Sequence, residues 1–449
     1  MTRPTLLIVS SHFAPSPLVG AKRFSFLTRE FTRMGFDVHV IANEIGDSAY
    51  GREDKSLPVH GSVHRVPNPL DLPRKGKGPG ARLVNALARR LLAAVGMDYF
   101  WSGAATRKAI EVVAKLPEHQ RRHGLVIATS PPHAAMIAGG RIARRLGWPL
   151  VLDYRDPWSA YDWPAWHRGA LTQWLATRVE RRLVRQSAAR VLNTPAMREW
   201  YLRKFPFVSE AGSVAIPNGF DPVENLASPA EAGPLRILHA GEIYGSRSLV
   251  PLLQAIRRVS TRHPERAIRL INYGPLPAHE RQRIRDARLE EFAEERPRIP
   301  FQELRVELQR AHLLLAVVSE HMTYSTPYKV YDYMASGRPV LGLAPRDAAL
   351  HELLAESGAG ECAEPQDIAA IDAAIERALF TPASADAARV DRFHWSRLAQ
   401  QYRAVIEEAV SRQCATAAAD VSGATPPAST NARREQASGQ QAQRAGFRR

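Results

Sequence analysis

The segment at residues 324–340, Tyr-Ser-Thr-Pro-Tyr-Lys-Val-Tyr-Asp-Tyr-Met-Ala-Ser-Gly-Arg-Pro-Val, has residue types that suit the binding of an anion. Pro327 favours a helix start, because proline lacks an amide hydrogen that the first turn leaves unpaired anyway. Free amides and the positive dipole end of such a helix favour a diphosphate, and Lys329 in the first turn could reach the same anion. Asp332, one turn later, could accept hydrogen bonds from ribose hydroxyls. The segment therefore predicts a nucleotide-diphosphate site.

The elements around this segment alternate between short apolar strands and helices. In the first half, strands are predicted at 5–10, 37–42, 125–129, 149–153 and 189–193, and helices at 22–34 and 133–146. In the second half, strands are predicted at 235–240, 267–273, 312–318 and 339–343, and helices at 247–261 and 328–336. This alternation predicts parallel, doubly wound α/β sheets.

The pattern is interrupted at residues 222–233, whose Pro, Ala and Glu content without periodicity predicts a linker. We therefore expect two Rossmann-like domains, at 1–221 and 234–392, that face a cleft. Ligands of open α/β sheets bind at the carboxyl ends of the strands, so the cleft is the expected site. A terminal helix is predicted at 393–412, and residues 413–449, almost without large apolar residues, are typical of a disordered tail.

The net charge of +16 is concentrated in the first half of the chain. Residues 1–190 hold 29 Lys/Arg and 14 Asp/Glu, whereas residues 191–449 hold 32 and 31. This asymmetry indicates an anionic partner such as phospholipid, nucleic acid or a pyrophosphate-linked substrate, or else a charge that serves solubility alone.

Residues 74–95 combine a basic Gly-rich loop with an amphipathic helix predicted at 81–95. Together with the aromatic residues at 99–101, they fit a helix that lies in an anionic membrane interface. An ordinary surface helix packed on the sheet would show the same apolar stripe. Both interpretations stay open, and a membrane surface is a candidate partner.

Several absences narrow the class of protein. No apolar run approaches the ~18–20 residues of a transmembrane helix, and residues 5–9 are too short for a signal-peptide core. Cys362 and Cys414 cannot form a disulfide framework, so a cytoplasmic protein is expected. No Walker loop, HExxH or Cys/His metal spacing occurs, and no GxGxxG follows the first strand. We therefore predict no metal site and no nicotinamide or other cofactor.

The run P-x-K-x-x-[DE]-Y-x-A-x-G-[RK]-P-V at 327–340 resembles the nucleotide-sugar signature of the family-4 GT-B glycosyltransferases, which are retaining enzymes. Three further segments resemble that family and occur in the same order. The first is residues 9–23, which end in Gly-Ala-Lys-Arg, and the second is Ile-Pro-Asn-Gly-Phe-Asp at 216–221. The third is Leu-His-Ala-Gly at 238–241, followed by Arg-Ser-Leu-x-x-Leu-Leu-x-Ala at 247–255. The resemblance spans most of residues 5–412 and implies a GT-B fold.

The resemblance also implies the reaction. A sugar would move from a UDP- or GDP-sugar, held by the second domain, to a lipid-linked or polysaccharide acceptor, held by the first, in cell-surface glycan synthesis. No Asp-x-Asp occurs, which argues against a metal-dependent GT-A transferase and for stabilisation of the leaving group by Arg247, Lys329 and amides.

Site residues follow from the same resemblance, position by position. Gly20 would let the backbone approach the donor phosphates, and Gly241 would end the first strand of the donor domain. Arg247 matches a phosphate-binding lysine, and an arginine can bind the same anion with a bidentate fork. Ser325 and Thr326 belong to the donor-binding loop.

Two candidates for catalysis lie in the first domain. His133 resembles a histidine that contacts the sugar, although a histidine at a helix start is often structural. Asp156 or Arg155 could meet the acceptor, because both follow a strand at the cleft. Asp156 would equally suit a helix N-cap.

The chain departs from the family pattern at two positions. The family often has Glu-x7-Glu, and counting back from Asp332 places Tyr324 at the first acidic position. The arginine that usually follows the glycine of the first donor-domain strand is Glu242 here. The carboxylate that contacts the transferred sugar in the family is therefore either absent from this chain or supplied by another residue, for which Glu320 is the nearby candidate.

Two alternative functions stay open, and a third is not expected. A nucleotide-sugar 2-epimerase shares the fold but usually has grouped histidines and acidic residues in its cleft. The altered acidic pair would also suit an inactive assembly partner. A nucleic-acid-binding module is not expected, because no recognition-helix, RNP or zinc pattern occurs.

We expect activity to persist in excess EDTA, because side chains and helix amides would carry the charge of the leaving phosphate. Turnover measured with and without chelator tests this expectation. A loss on chelation that Mg²⁺ or Mn²⁺ restores would contradict it.

Overall fold

The computed structural model describes residues 4–44, 53–68, 97–159, 169–223, 229, 233–243, 245, 247–320, 322–324, 326–381 and 387–422. Four predicted features lie partly or wholly outside these ranges: the membrane segment at 74–95, Ser325, most of the linker at 222–233, and residues 423–449 of the tail. Within the described residues, no helix combines the length and apolar character needed to cross a bilayer.

The first domain is built on a parallel sheet of seven described strands. These are β1 (Thr5–Val9), β2 (Asp37–Asn43), β3 (Ser62–Val66), β4 (Gly124–Ser130), β5 (Leu150–Tyr154), β6 (Ala189–Leu192) and β7 (Ser213–Ala215). Their spatial order is β3-β2-β1-β4-β5-β6-β7. The helices are α1 (Val19–Arg33), α2 (Trp101–Ala114), α3 (Glu118–Arg122), α4 (His133–Leu146), α5 (Ala170–Gln186) and α6 (Pro195–Lys204). The direction of winding reverses between β1 and β4, where a doubly wound sheet opens its crevice.

The second domain repeats this plan with six described parallel strands. These are β8 (Leu235–Ala240), β9 (Ile268–Tyr273), β10 (Ala293–Arg296), β11 (Leu313–Val317), β12 (Val340–Leu343) and β13 (Gly360–Ala363). They lie in the order β10-β9-β8-β11-β12-β13. The helices are α7 (Val250–Arg262), α8 (Ala278–Asp286), α9 (Phe301–Arg310), α10 (Lys329–Ala335), α11 (Ala349–Ser357), α12 (Ile368–Phe380) and α13 (Ala387–Asp391). The predicted pair of doubly wound α/β domains is confirmed.

The last helix, α14 (Trp395–Ser422), returns from the second domain to the first. Trp395 stacks on Phe26 with ring centroids 5.7 Å apart, and Tyr402 meets Phe31 edge-on at 5.8 Å. The apolar face of α14 is thereby part of the core of the first domain. The predicted end at residue 412 is wrong, because the helix continues to Ser422 through an alanine-rich stretch of high helix propensity.

A buried ion pair joins α1 to the sheet and to the junction of the domains. Arg23 Nη2 lies 2.9 Å from Asp153 Oδ2, and both side chains are almost fully buried. The same guanidinium donates to the carbonyl oxygens of Ile216 at 2.8 Å and Pro217 at 2.6 Å, and Tyr402 of α14 donates to Asp153. Burial opposes the charge of Arg23, but the carboxylate of Asp153 holds the pKa of Arg23 above its ordinary value.

We expect Arg23→Met to lower the free energy of unfolding by ~3–5 kcal/mol, because it leaves the carboxylate of Asp153 buried without its cation. Arg33→Met is the matched control, since Arg33 lies on the same helix with 66% of its side chain exposed. Its effect should stay within ~1 kcal/mol. Urea unfolding measures both, and equal losses would contradict this role of the buried pair.

Candidate active site

A chain of polar side chains crosses the carboxyl ends of β8 and β9 and ends at the start of α10. Lys329 Nζ lies 3.0 Å from His239 Nε2, and His239 Nδ1 lies 2.6 Å from Asn272 Oδ1. Asn272 Nδ2 donates to the carbonyl oxygen of Gly274 at 2.6 Å. The amide oxygen of Asn272 must therefore accept, so His239 carries its proton on Nδ1 and accepts from Lys329 through Nε2. This chain fixes the direction of the lysine ammonium group.

Two basic side chains, Lys329 and Arg247, interact electrostatically at this point. Burial first, and the charge of Arg247 second, lower the pKa of Lys329 to about 7. Arg247 itself is only 8% exposed. Burial and the charge of Lys329 lower the pKa of His239 well below its ordinary value, so that imidazole is neutral. An anion bound between Lys329 and Arg247 would relieve their repulsion, which makes this a place for a phosphate group.

Arg247 and Lys329 come from two different segments of the second domain. Arg247 was predicted at the start of a helix, but α7 begins at Val250, so Arg247 lies in the segment between β8 and that helix. Lys329 is the first residue of α10, in agreement with the predicted helix start. The segment after β8 and the start of α10 thus bring both charges near His239 at the carboxyl end of β8.

Two glycines allow the loops after β8 and β9 to touch. Gly241 has φ 137° and Gly274 has φ 141°, a region that residues with a Cβ rarely adopt. A Cβ on Gly241 would lie 2.8 Å from Lys329 Nζ, and one on Gly274 would lie 2.6 Å from the carbonyl oxygen of Gly241. Gly241 was identified from the sequence, whereas Gly274 was missed.

Asp332 faces the first domain. Its Oδ2 accepts from Lys22 Nζ of α1 at 3.1 Å, and that ammonium group lies 3.8 Å from the ring centroid of Phe301. Burial raises the pKa of Asp332, and Lys22 opposes the rise. The carboxylate therefore bridges the two domains in this structure, and a ribose would compete with Lys22 for it.

Thr326 is buried, and its hydroxyl lies 2.8 Å from the hydroxyl of Tyr331. It lines a cavity together with Asn193, Leu353 and Phe393. The structure therefore places Thr326 near the start of α10 but engages its hydroxyl with the helix itself.

The candidate residues of the first domain meet at the ends of β4 and β5. The amide of Arg155 donates to the carbonyl oxygen of Ser130 at 2.9 Å, and Ser130 Oγ lies 2.6 Å from His133 Nδ1. A Cβ on Gly20 would collide with the guanidinium of Arg155. The ring of His133 stacks on Trp158 with centroids 4.4 Å apart. Gly20, Arg155 and His133, which are far apart in sequence, thus form one polar edge.

Asp156 lies in the same segment between β5 and α5. Burial raises the pKa of Asp156, and the charge of Arg155 opposes the rise. The next described helix, α5, begins only at Ala170, so the N-cap interpretation of Asp156 is wrong for that helix. A carboxyl group with a raised pKa beside an arginine is suited to exchanging a proton.

A buried carboxylate holds the segment that supports His133. Glu180 on α5 accepts from the amide of Ser159 at 2.7 Å and from the hydroxyl of Tyr201. Tyr201 accepts from the amide of Trp158 at 3.2 Å. These contacts fix the indole on which His133 stacks. Sequence reasoning missed them, because a glutamate within an arginine-rich helix looks like a surface residue.

Tyr324, at the position of the missing acidic residue, packs into the first domain. Its side chain is 1% exposed, and its ring lies 5.5 Å from that of Trp200. Its carbonyl oxygen accepts from Thr194 Oγ1 at 2.7 Å. Glu242, at the other departure, is paired with Arg298. Glu320, the suggested substitute, is exposed. The position of the family's first carboxylate is thus used to join the domains.

Two Rossmann-like sheets that face each other across a cleft define the GT-B class. Residues 20–219 match the model of the glycosyl transferase 4-like domain, and residues 234–380 match the model of the glycosyl transferases group 1. The chain is therefore a GT-B glycosyltransferase, and each of its two domains matches one of these glycosyl transferase models. Among the described residues, no three His, Cys, Asp or Glu side chains are grouped as a metal site requires.

Solved structures share this fold at low sequence identity. HepE from Anabaena with UDP and glucose is 15% identical with a TM-score of 0.56, and the match covers 90% of this chain and 100% of that one. The lipopolysaccharide outer core galactosyltransferase WaaB is 12% identical with a TM-score of 0.55, covering 90% and 99%. The trehalose 6-phosphate synthase from Burkholderia multivorans is 15% identical with a TM-score of 0.57, covering 93% and 100%. No curated protein sequence matches the chain.

We expect Gly274→Ala to destabilise the protein by ~1–3 kcal/mol, since the new Cβ would meet backbone at a φ unsuited to it. Gly241→Ala should cost less, because it meets the flexible end of Lys329. Gly103→Ala is the control, since a Cβ within α2 meets nothing within 4 Å and should stabilise by ~0.5–1 kcal/mol. Melting temperatures of the three variants test this order, and an unchanged Gly274→Ala would contradict the close approach of the loops.

Proposed function

We propose that the chain transfers a sugar, with retention, from a UDP- or GDP-sugar to a lipid-linked or polysaccharide acceptor in cell-surface glycan synthesis. The observation that carries this proposal is the buried pair of cations, Lys329 and Arg247, at the carboxyl edge of β8. A diphosphate with two negative charges matches that pair. Support comes from HepE, whose structure was also solved in complex with UDP-glucose, and from WaaB, a lipopolysaccharide galactosyltransferase.

The second domain would stabilise the leaving group. As the bond between the sugar and the diphosphate breaks, negative charge develops on the phosphate oxygens. Lys329 and Arg247 would bind those oxygens, and the loop amides around Gly241 can approach because the residue has no Cβ. Asp332 would exchange its contact with Lys22 for the ribose hydroxyls when the donor enters.

The first domain would position the acceptor. The bond of His133 Nδ1 to Ser130 and the stacking on Trp158 hold the imidazole in one orientation, from which Nε2 would contact the sugar. Arg155 would stabilise the carboxylate of Asp156, which with its raised pKa would accept the proton of the acceptor hydroxyl. That oxygen would bond to the sugar on the face from which the diphosphate leaves, as retention requires, and the negative charge would pass to the diphosphate. In this proposal donor and acceptor are held by opposite sheets, and the reaction takes place between them.

We further propose that the protein attaches reversibly to an anionic membrane surface on the cytoplasmic side. A lipid-linked acceptor would be met there, and the positive charge of the first domain suits such a surface. Residues 74–95 remain the candidate segment from the sequence.

We expect Lys329→Ala and Arg247→Ala each to weaken UDP binding by ~1.5–3 kcal/mol, because each removes a charged partner of the diphosphate. Binding of uridine alone should be unchanged. Arg257→Ala is the matched control, since this arginine is exposed on α7 of the same domain. Titration calorimetry measures all three variants. Full diphosphate affinity in both cleft variants would contradict the donor site and with it the proposed function.

The affinity for UDP-glucose should fall as the pH rises above about 7. Lys329 has a pKa of about 7 without ligand, and a bound anion raises that pKa, so binding takes up a proton at higher pH. The fall is at most about tenfold per pH unit for one proton. The pKa of His239 is lowered well below its ordinary value, so His239 stays neutral over this range and does not contribute. Lys329→Arg should flatten the profile, and a wild-type affinity independent of pH between about 6.5 and 9 would contradict the assignment.

A further inference from the structure

Helix α5 carries an exposed apolar surface that the core does not use. Leu171, Trp174 and Leu175, in its first two turns, are 69%, 57% and 38% exposed. The opposite side of the helix is buried through residues such as Ala176, Leu183 and Val184. The three apolar side chains are therefore not needed to hold α5 on the domain, and an exposed patch of this kind marks an interaction site.

The same exposed side of α5 becomes strongly basic toward its C-terminal end. Four arginines are exposed there, at positions 178, 181, 182 and 185. Spacings of three and four residues place 171, 174, 175, 178, 182 and 185 along one face. The acidic residue of the helix, Glu180, is fully buried against Ser159 and Tyr201. The exposed face of α5 therefore carries positive charge with no carboxylate of its own to offset it.

Aromatic rings and arginines alternate across this surface. The guanidinium of Arg178 lies 5.6 Å from the ring centroid of Trp174, and that of Arg185 lies 4.8 Å from the ring centroid of Phe207. Phe207, which follows α6, is 44% exposed and extends the apolar area. Arginine side chains can lie along apolar surface while their charged ends contact phosphates.

We propose that the exposed face of α5, together with Phe207, docks on an anionic phospholipid membrane. The apolar first turns would enter the interface, where tryptophan is favoured, and the four arginines would contact lipid phosphates. Charge complementarity selects this partner, because the surface combines insertion residues with uniform positive charge. This inference deepens the proposed function, since it names the surface that brings the enzyme to a lipid-linked acceptor.

The docking face lies close to the acceptor-side residues. Glu180 leaves the opposite side of α5 and holds Ser159, which follows Trp158, the ring on which His133 stacks. An α-helix with its side chains is about 10 Å across. Docking through α5 would therefore hold His133 a short distance above the head groups, where the head of a lipid-linked acceptor lies.

The test is sedimentation of the full chain with phosphatidylglycerol/phosphatidylcholine vesicles and with phosphatidylcholine vesicles alone. We expect binding to the anionic vesicles that weakens with salt. Arg178→Glu/Arg182→Glu/Arg185→Glu should lower partitioning roughly 100-fold or more, and Leu171→Ser/Trp174→Ser/Leu175→Ser at least about tenfold. Val306→Ser/Arg310→Glu is the matched control, since it alters one exposed apolar residue and one exposed arginine on α9 of the second domain.

Wild-type binding by both α5 variants would overturn the proposal, as would loss of binding only when the basic residues at 74–95 are reversed to Glu.

A direct measurement covers the case in which an α5 variant does not fold. Lipids brominated on their acyl chains should quench the tryptophan fluorescence of the wild type, and Trp174→Phe, which keeps an aromatic ring, should bind vesicles but lose most of that quenching. Unchanged quenching in Trp174→Phe overturns the proposal. Equal affinity for duplex DNA and for vesicles, without quenching, would instead identify a nucleic-acid surface. The α5 variants should bind UDP like the wild type, so failure of the donor site and failure of the docking surface give different results.

Discussion

The buried pair of Arg23 and Asp153 is the interaction on which the relation of the two domains depends. A buried guanidinium needs acceptors for its several N–H donors. Here they come from Asp153 on β5 and from the carbonyl oxygens of Ile216 and Pro217, where the chain leaves the first domain. Tyr402 reaches the same carboxylate from the helix on which the chain returns. The segment in which the chain leaves the first domain and the helix on which it returns thus both contact one charge pair. Helix α1, which bears Arg23, also brings Gly20 and Lys22 to the cleft.

Charge has opposite roles at the two faces of the cleft. In the second domain, burial and the charge of Arg247 both oppose the charge of Lys329, so the ligand-free lysine is easy to deprotonate. In the first domain, Arg155 lies near the carboxyl group of Asp156, and a buried glutamate fixes the segment behind them. The contact of Lys22 with Asp332 connects the faces and occupies a group that a donor would need. Under the proposed function, binding of the donor would therefore change a contact between the domains as well as contacts within the donor site.

The elements that could be predicted are those buried on both sides. Strands such as β1 and β11 are almost wholly apolar and fully buried, and α4 was predicted with its observed bounds. The missed strands β3, β7, β10 and β13 are the four edges of the two sheets, where one side is unpaired and polar residues such as Ala-Glu-Glu-Arg in β10 are tolerated. At the site, motif spacing indicated Lys329 and Arg247. His239 was missed because its role arises from a neighbouring strand, and the packing of Tyr324 depends on a contact between domains that no local pattern encodes.

The return of α14 has a consequence for biosynthesis. The face of the first domain that Phe24 and Phe31 help to form is covered by Trp395 and Tyr402, which are translated about 180 residues after the last strand of that sheet. At a translation rate of ~5–20 residues per second, that face waits roughly 10–35 s on the ribosome. The second domain has all its strands by then, so the half that is made first is the last to be finished. A nascent chain of this protein thus exposes an apolar surface to chaperones while about 180 of its 449 residues are made, and a stop codon shortly before residue 395 would leave that surface open permanently.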